Sequence, residues 1–125
     1  MEKKSIMVVD DEDINIGILV EWLELMDYEV IAARSGEEAL KIFEERNGAV
    51  DLIILDIVMP GLSGEEVFYR LKEMDASVKV IVISGYALED KVTRLLRAGA
   101  LSFLQKPFRM ENFSEKVKEA LNLPQ

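Results

Sequence analysis

Short apolar runs and amphipathic stretches alternate five times along this chain, and that rhythm leaves few folds open. Residues 6–9 read as a buried strand that runs into the acidic segment Asp10-Asp11-Glu12-Asp13. Ile14, Ile18, Trp22 and Leu25 then recur at helical spacing and are expected to form the buried face of the first helix. Glu29–Ala33 is a weaker second strand. Ser35 and Glu38 have the form of a capping box, opening a helix with Ala39, Leu40 and Phe43 on its apolar face and Asn47-Gly48 at its end. Residues 52–55 make a third strand ending at Asp56, and Pro60-Gly61 marks a loop. Ser63 and Glu66 cap a helix that uses Val67, Leu71 and Met74. Residues 78–83 form a fourth strand, unbroken in hydrophobicity and so central. Leu88, Val92, Leu95 and Leu96 give the next helical face, stopped by Gly99. Ser102–Gln105 is a short fifth strand, and Met110, Phe113, Val117 and Leu121 line the last helix.

Strict alternation of strand and helix, with continuous apolar strands, implies a parallel sheet covered on both faces. The most hydrophobic strands belong in the middle. That favours an α/β flavodoxin-like (βα)5 sandwich with strand order 2-1-3-4-5. At 125 residues the chain fits one domain spanning 1–125, with no internal repeat or linker. The Pro124-Gln125 ending suits either a natural stop or a trimmed linker.

In an open parallel sheet, ligands bind beyond the carboxyl ends of the strands, where the order reverses. Here that point lies between the first and third strands. The first ends in Asp10-Asp11 and the third in Asp56; Ser84 ends the fourth, and Lys106 follows the fifth. Converging carboxylates repel one another unless a cation, a proton or distance intervenes. Asp10, Glu12 and Asp13 are equally compatible with acids that favour a helix N-terminus. Asp56 is harder to read that way, because it ends a wholly apolar strand, where an unpaired charge is costly. The chain has no histidine and no cysteine, which excludes His-based acid–base chemistry, thiolate chemistry and disulfides. Hard oxygen donors alone point to Mg²⁺. Asp11, Asp56 and the backbone carbonyl of Val58 are suited to hold it, with Asp10 acting partly through water. Ser84 suits a hydrogen bond to a phosphoryl oxygen and Lys106 suits a point charge.

Four segments carry a family resemblance: Val8-Val9-Asp10-Asp11-Glu12; Leu55-Asp56-Ile57-Val58-Met59-Pro60-Gly61 with Gly64; Ile83-Ser84-Gly85-Tyr86; and Gly99-Ala100 through Phe103-Leu104-Gln105-Lys106-Pro107-Phe108. In this order and on these strands, the chain resembles a receiver domain of two-component response regulators over nearly its whole length. The resemblance implies that Asp56 is the phosphoacceptor and that Asp10 and Asp11 hold Mg²⁺. It implies that Ser84 closes on the phosphate, that Lys106 pairs with the acceptor site, and that Phe103 is the aromatic switch residue. It also implies a cis Lys106-Pro107 peptide. The implied donor is a phosphohistidine on a sensor histidine kinase or a histidine phosphotransfer protein, and phosphorylation would reshape the surface of helix four, strand five and helix five. Val58 and Tyr86 are bulky and cannot activate water, so they are expected to shield an acyl phosphate.

Rival readings fit less well. A phosphatase with an aspartyl-phosphate intermediate resembles Asp-x-Asp, and Val58 stands where the second acid belongs, so turnover as an enzyme is not expected. A flavin-binding domain of the same sheet order wants a Ser/Thr-rich loop after the first strand, and four acids there repel a phosphate. A degenerate receiver would lack Asp56, Lys106 or one acid of the pair. The formal net charge of -9 argues against nucleic-acid binding by this domain. The N-terminal residues do not read as a signal peptide and no apolar stretch is long enough to span a membrane, so a reduced cytoplasmic setting is the expectation. The output is either a separate partner or an attached domain, and the segments at Ser84 and Phe103 look somewhat like receivers attached to hybrid kinases. Leu95, Leu96 and Arg97 on one helix also allow a phosphorylation-dependent homodimer.

Overall fold

Five parallel strands stand in the order β2-β1-β3-β4-β5 in a computed structural model that describes residues 3–123. The chain runs β1 (Ser5–Val9), α1 (Asp13–Leu25), β2 (Glu29–Ala33), α2 (Gly36–Glu45), β3 (Leu52–Asp56), α3 (Gly64–Met74), β4 (Val80–Ser84), α4 (Glu89–Arg97), β5 (Ser102–Gln105) and α5 (Met110–Asn122). This is the flavodoxin-like arrangement expected from the sequence. The Pro124-Gln125 ending and the first two residues lie outside the described residues.

The strand order reverses direction once, after β2, and that reversal sorts the helices. Ile6, Val8, Leu52, Ile54, Ile81 and Ile83 face one core with Ile16, Leu19 and Leu23 of α1 and Phe113, Val117 and Ala120 of α5. Met7, Val9, Ile53, Leu55, Val80 and Val82 face the other, with Ala39 and Phe43 of α2, Val67, Phe68 and Leu71 of α3, and Leu95 of α4. Three strands are therefore buried on both faces, which is why their sequence shows no alternation. Leu52 through Leu55 are each 0% exposed. Burial of each such side chain is worth about 1.5–3 kcal/mol, enough to anchor a charged residue at the strand's end.

Capping follows the sequence. Ser35 accepts from the Glu38 amide and Ser63 from the Glu66 amide, each satisfying one free N–H of the first helical turn. Asn47 and Gly48 take positive φ where α2 ends.

The expected face of α1 is wrong in phase. Ile14 is 78% exposed, Ile18 44% and Leu25 71%, while Ile16, Leu19 and Leu23 are buried and Trp22 packs half-buried at their edge. This helix carries apolar residues all round, so periodicity alone admits two faces, and contact with the sheet selects the other. On α3, Phe68 is buried and Met74 exposed; on α4, Leu95 is buried and Leu96 exposed. The fourth strand starts at Val80 because the Val78 amide is taken by the Asp75 carbonyl in the turn that ends α3. Among the described residues no helix is long and apolar enough to cross a membrane.

Candidate functional site

β1 and β3 are neighbours with Val9 opposite Leu55, so Asp10 and Asp56, the next residues, emerge side by side. Both are buried: Asp10 is 0% exposed and Asp56 4%. Asp11 points outward, yet one carboxylate oxygen from each of Asp10, Asp11 and Asp56 lies within 4.8 Å of the others. Glu12 and Asp13 do not join this group. Glu12 accepts from the Asn15 side chain, and Asp13 pairs with Arg34 at 2.6 Å.

β5 delivers the counter-charge. The Lys106 amide donates to the Ser84 carbonyl, carrying the strand pairing one residue further, and the Lys106-Pro107 peptide is cis. From there Lys106 Nζ donates to Asp10 Oδ2 and to Asp56 Oδ2, each at 2.8 Å. The remaining oxygens are held by backbone: Asp10 Oδ1 accepts from the Glu12 amide and Asp56 Oδ1 from the Val58 amide. Each carboxylate oxygen has a second lone pair free for another partner.

The electrostatics follow from this crowding. Burial raises the Asp56 carboxyl above its ordinary value, against the hydrogen bonds from Lys106 and Val58, while the Asp10 charge adds to the rise. Burial also pulls the Lys106 ammonium down, but the hydrogen bonds and charges of Asp10 and Asp56 outweigh it and hold the group above its ordinary value. One ammonium thus faces three carboxylates.

Three close carboxylates, in a chain with no histidine or cysteine, suit a hard divalent cation of the size of Mg²⁺. Asp10, Asp11 and Asp56 fit that role by geometry and donor type. Val58 adjoins them, since its amide is already bound to Asp56.

The other residues singled out from the sequence surround this cluster. Ser84 is fully buried at the end of β4 and its Oγ accepts from the Tyr86 amide at 3.0 Å. Phe103 is half-buried on β5 against the core that also holds Leu88 and Val92. Val58 and Tyr86 are exposed and line the same cleft as Asp11, Asp56 and Lys106. Sequence reasoning did not find the exposed apolar face of α1, where Ile18 and Trp22 flank a groove completed by Pro107 and Phe108. Its signal was the excess of apolar residues on that helix over what one buried face requires.

The response regulator receiver domain family matches residues 6–118. The chain belongs to that family. Receiver domains are signalling domains of two-component systems, and this one is similar to several of known kind. It is 40% identical over 94% of its length to the sensor kinase CckA of Brucella abortus (strain 2308), of which it spans only 12%. It is 33% identical to the polar-differentiation response regulator DivK of Brucella ovis, covering 94% of this chain and 96% of DivK. Among solved structures, the response regulator TrrA of Thermotoga maritima, in complex with Mg²⁺ and BeF, superposes with a TM-score of 0.85 at 39% identity, covering 94% of this chain and 99% of TrrA. The receiver therefore matches nearly the whole of one relative and a small part of another.

Proposed function

We propose that this receiver accepts a phosphoryl group onto Asp56 from a phosphohistidine of a sensor histidine kinase or a histidine phosphotransfer protein. The observation that carries the reading is one lysine ammonium shared at 2.8 Å by two buried carboxylates from adjacent strands, with a third carboxylate beside them. That arrangement is costly for a fold and useful for handling a phosphoryl group.

In the transfer, an Asp56 carboxylate oxygen forms a bond to phosphorus while the bond from phosphorus to the donor's imidazole nitrogen breaks. The imidazole leaves with the bonding pair and takes a proton. Mg²⁺, when bound, would supply positive charge to the phosphoryl oxygens, held by Asp10, Asp11, Asp56 and the Val58 carbonyl. Lys106 supplies the other positive charge, and the work of the protein is positioning and charge neutralisation. Ser84 then gives a hydrogen bond to the phosphoryl group in place of its present contact. The space it leaves admits Phe103, and the packing shift alters the surface of α4, β5 and α5 toward an output domain or partner protein, or toward a second copy. A phosphorylated receiver that hydrolyses slowly is a switch rather than a turnover enzyme.

The donor would dock beside the site. Ile14 and Ile18 stand exposed on α1, and the groove along Ile18, Trp22, Pro107 and Phe108 reaches Lys106 itself. Chain 1–125 serves as one receiver unit in this reading, whether it acts alone or as part of a larger regulator.

The test is incubation with acetyl phosphate and Mg²⁺, read by intact mass. The parent should gain one phosphoryl group and Asp56→Asn none. Equal masses for the two proteins would sink the proposal.

A further inference from the structure

α3 begins against the backbone of the residue that this reading makes the acceptor. A Cβ built on Gly64 would lie 2.4 Å from the carbonyl oxygen of Asp56 and 2.3 Å from the Cα of Ile57. Both are backbone atoms, so no rotamer change relieves the clash. Gly64 is not required by its own conformation, since its φ is not positive, unlike those of Gly61 and Gly99. Nor does helix propensity favour it, because glycine is the weaker helix former beside alanine. Its use here is space.

We infer that Gly64 is a positioning residue for Asp56: the bare first turn of α3 rests on the Asp56-Ile57 backbone and sets where the carboxylate stands. The inference rests on the reading of Asp56 given above.

An ordinary contact needs about 3.4 Å where the structure offers 2.4 Å, so a side chain at 64 must part the two backbones by about 1 Å. α3 is poorly placed to retreat. Val67, Phe68 and Leu71 are each 0% exposed in the core. Behind the helix, Val67 already occupies the place a Cβ on Gly36 of α2 would take, with Cγ2 at 2.4 Å. Ile57 is buried too, so the end of β3 shares the displacement rather than escaping it. Beyond Asp56 a single ladder bond, from the Ile57 amide to the Ile83 carbonyl, holds the strand before the chain reaches exposed Val58. A displacement of that size moves the Asp56 carboxylate relative to Lys106, which reaches it from the far side of the sheet end, and alters the local Asp56–Val58 turn.

Gly64→Ala tests this against Leu71→Val, which loosens the same helix away from the site. In the metal-free protein, the Val58 amide resonance should shift in Gly64→Ala and not in Leu71→Val. Mg²⁺ affinity by calorimetry should fall in Gly64→Ala, and the phosphorylation rate from acetyl phosphate should fall by up to about 100-fold, the loss that a misplacement near 1 Å can cause. Leu71→Val should keep the parent values while losing stability. An unmoved Val58 amide with parent-like Mg²⁺ affinity, or equal losses in Leu71→Val, overturns the inference. If Gly64→Ala does not fold, Gly36→Ala presses on the same end of α3, its Cβ 2.4 Å from Val67 Cγ2 and 3.1 Å from the Leu62 carbonyl, and should weaken Mg²⁺ binding; unchanged Mg²⁺ binding in that variant counts equally against it. A parent that takes no phosphoryl group refutes the acceptor reading instead, and the Val58 amide still reports on positioning.

Discussion

At the residue scale, the proposed function sets two opposed demands on Asp56: it would have to be ionised to act as a nucleophile, and it is buried beside another acid. Burial raises its pKa in the folded protein above the value of about 3.9 in an unfolded chain. The fold therefore favours the protonated form. The resulting penalty is absent below the unfolded pKa and complete above the folded one. Lys106 does not confuse the test, because its raised pKa adds stability that is whole below about 10.4 and fades only in alkali. In EDTA at neutral pH, Asp56→Asn should raise Tm by a few degrees, since the amide keeps an acceptor for Lys106 and loses the charge. That gain should shrink to nothing as the pH falls toward about 4. A gain that persists in acid would place its origin elsewhere. Val58 and Tyr86 meet a different demand. Both are exposed over the cleft and neither can orient water as an acid or amide does. In Val58→Asn and Tyr86→Ala the phosphorylated protein should lose its phosphoryl group faster, followed by intact mass over time; rates no higher than the parent's in both variants would remove shielding as their role.

At the element scale, α1 is a helix with two apolar faces and only one sheet to cover. The inner face of Ile16, Leu19 and Leu23 packs in the core, which leaves Ile14 and Ile18 exposed. If the phosphodonor protein docks there, Ile18→Asp should cut phosphotransfer from the cognate donor by at least about tenfold, the scale of a central interface residue. It should leave the rate with acetyl phosphate unchanged, because a small donor needs no docking face. Equal loss with both donors would show damage to the site instead. This same helix marks the limit of what the sequence discloses. Strands buried on both faces declare themselves as unbroken apolar runs, and the order of their hydrophobicity predicts the sheet. Asp56 and Ser84 end strands, and Asp10 and Lys106 directly follow them, so a correct sheet order turns a linear pattern into a cluster. The phase of α1 was not legible, because periodicity ranks faces only when one of them is polar. The contact at Gly64 was not legible either, since a missing side chain carries no chemical signal until the backbone opposite is known.

At the scale of the whole molecule, the acidic site opposes the fold that builds it. The chain carries a formal net charge of -9, and Asp10, Asp11 and Asp56 gather at the carboxyl ends of the neighbouring strands β1 and β3. Lys106 offsets part of this charge and no more, so a divalent cation that binds only the folded form must stabilise the entire domain. The gain grows with the logarithm of concentration and reaches about 2.7 kcal/mol at a hundred times the dissociation constant. Thermal unfolding should therefore shift upward steadily with added Mg²⁺, and EDTA should reverse it. Monovalent salt at equal ionic strength should reproduce little of the shift, because screening acts on exposed charges and Asp10 and Asp56 are buried. In Asp56→Asn the metal-dependent part should largely disappear while the salt-dependent part remains. Should NaCl match MgCl₂ at the same ionic strength, the stabilisation would belong to the general surface charge, and the three carboxylates would have no special claim to the ion.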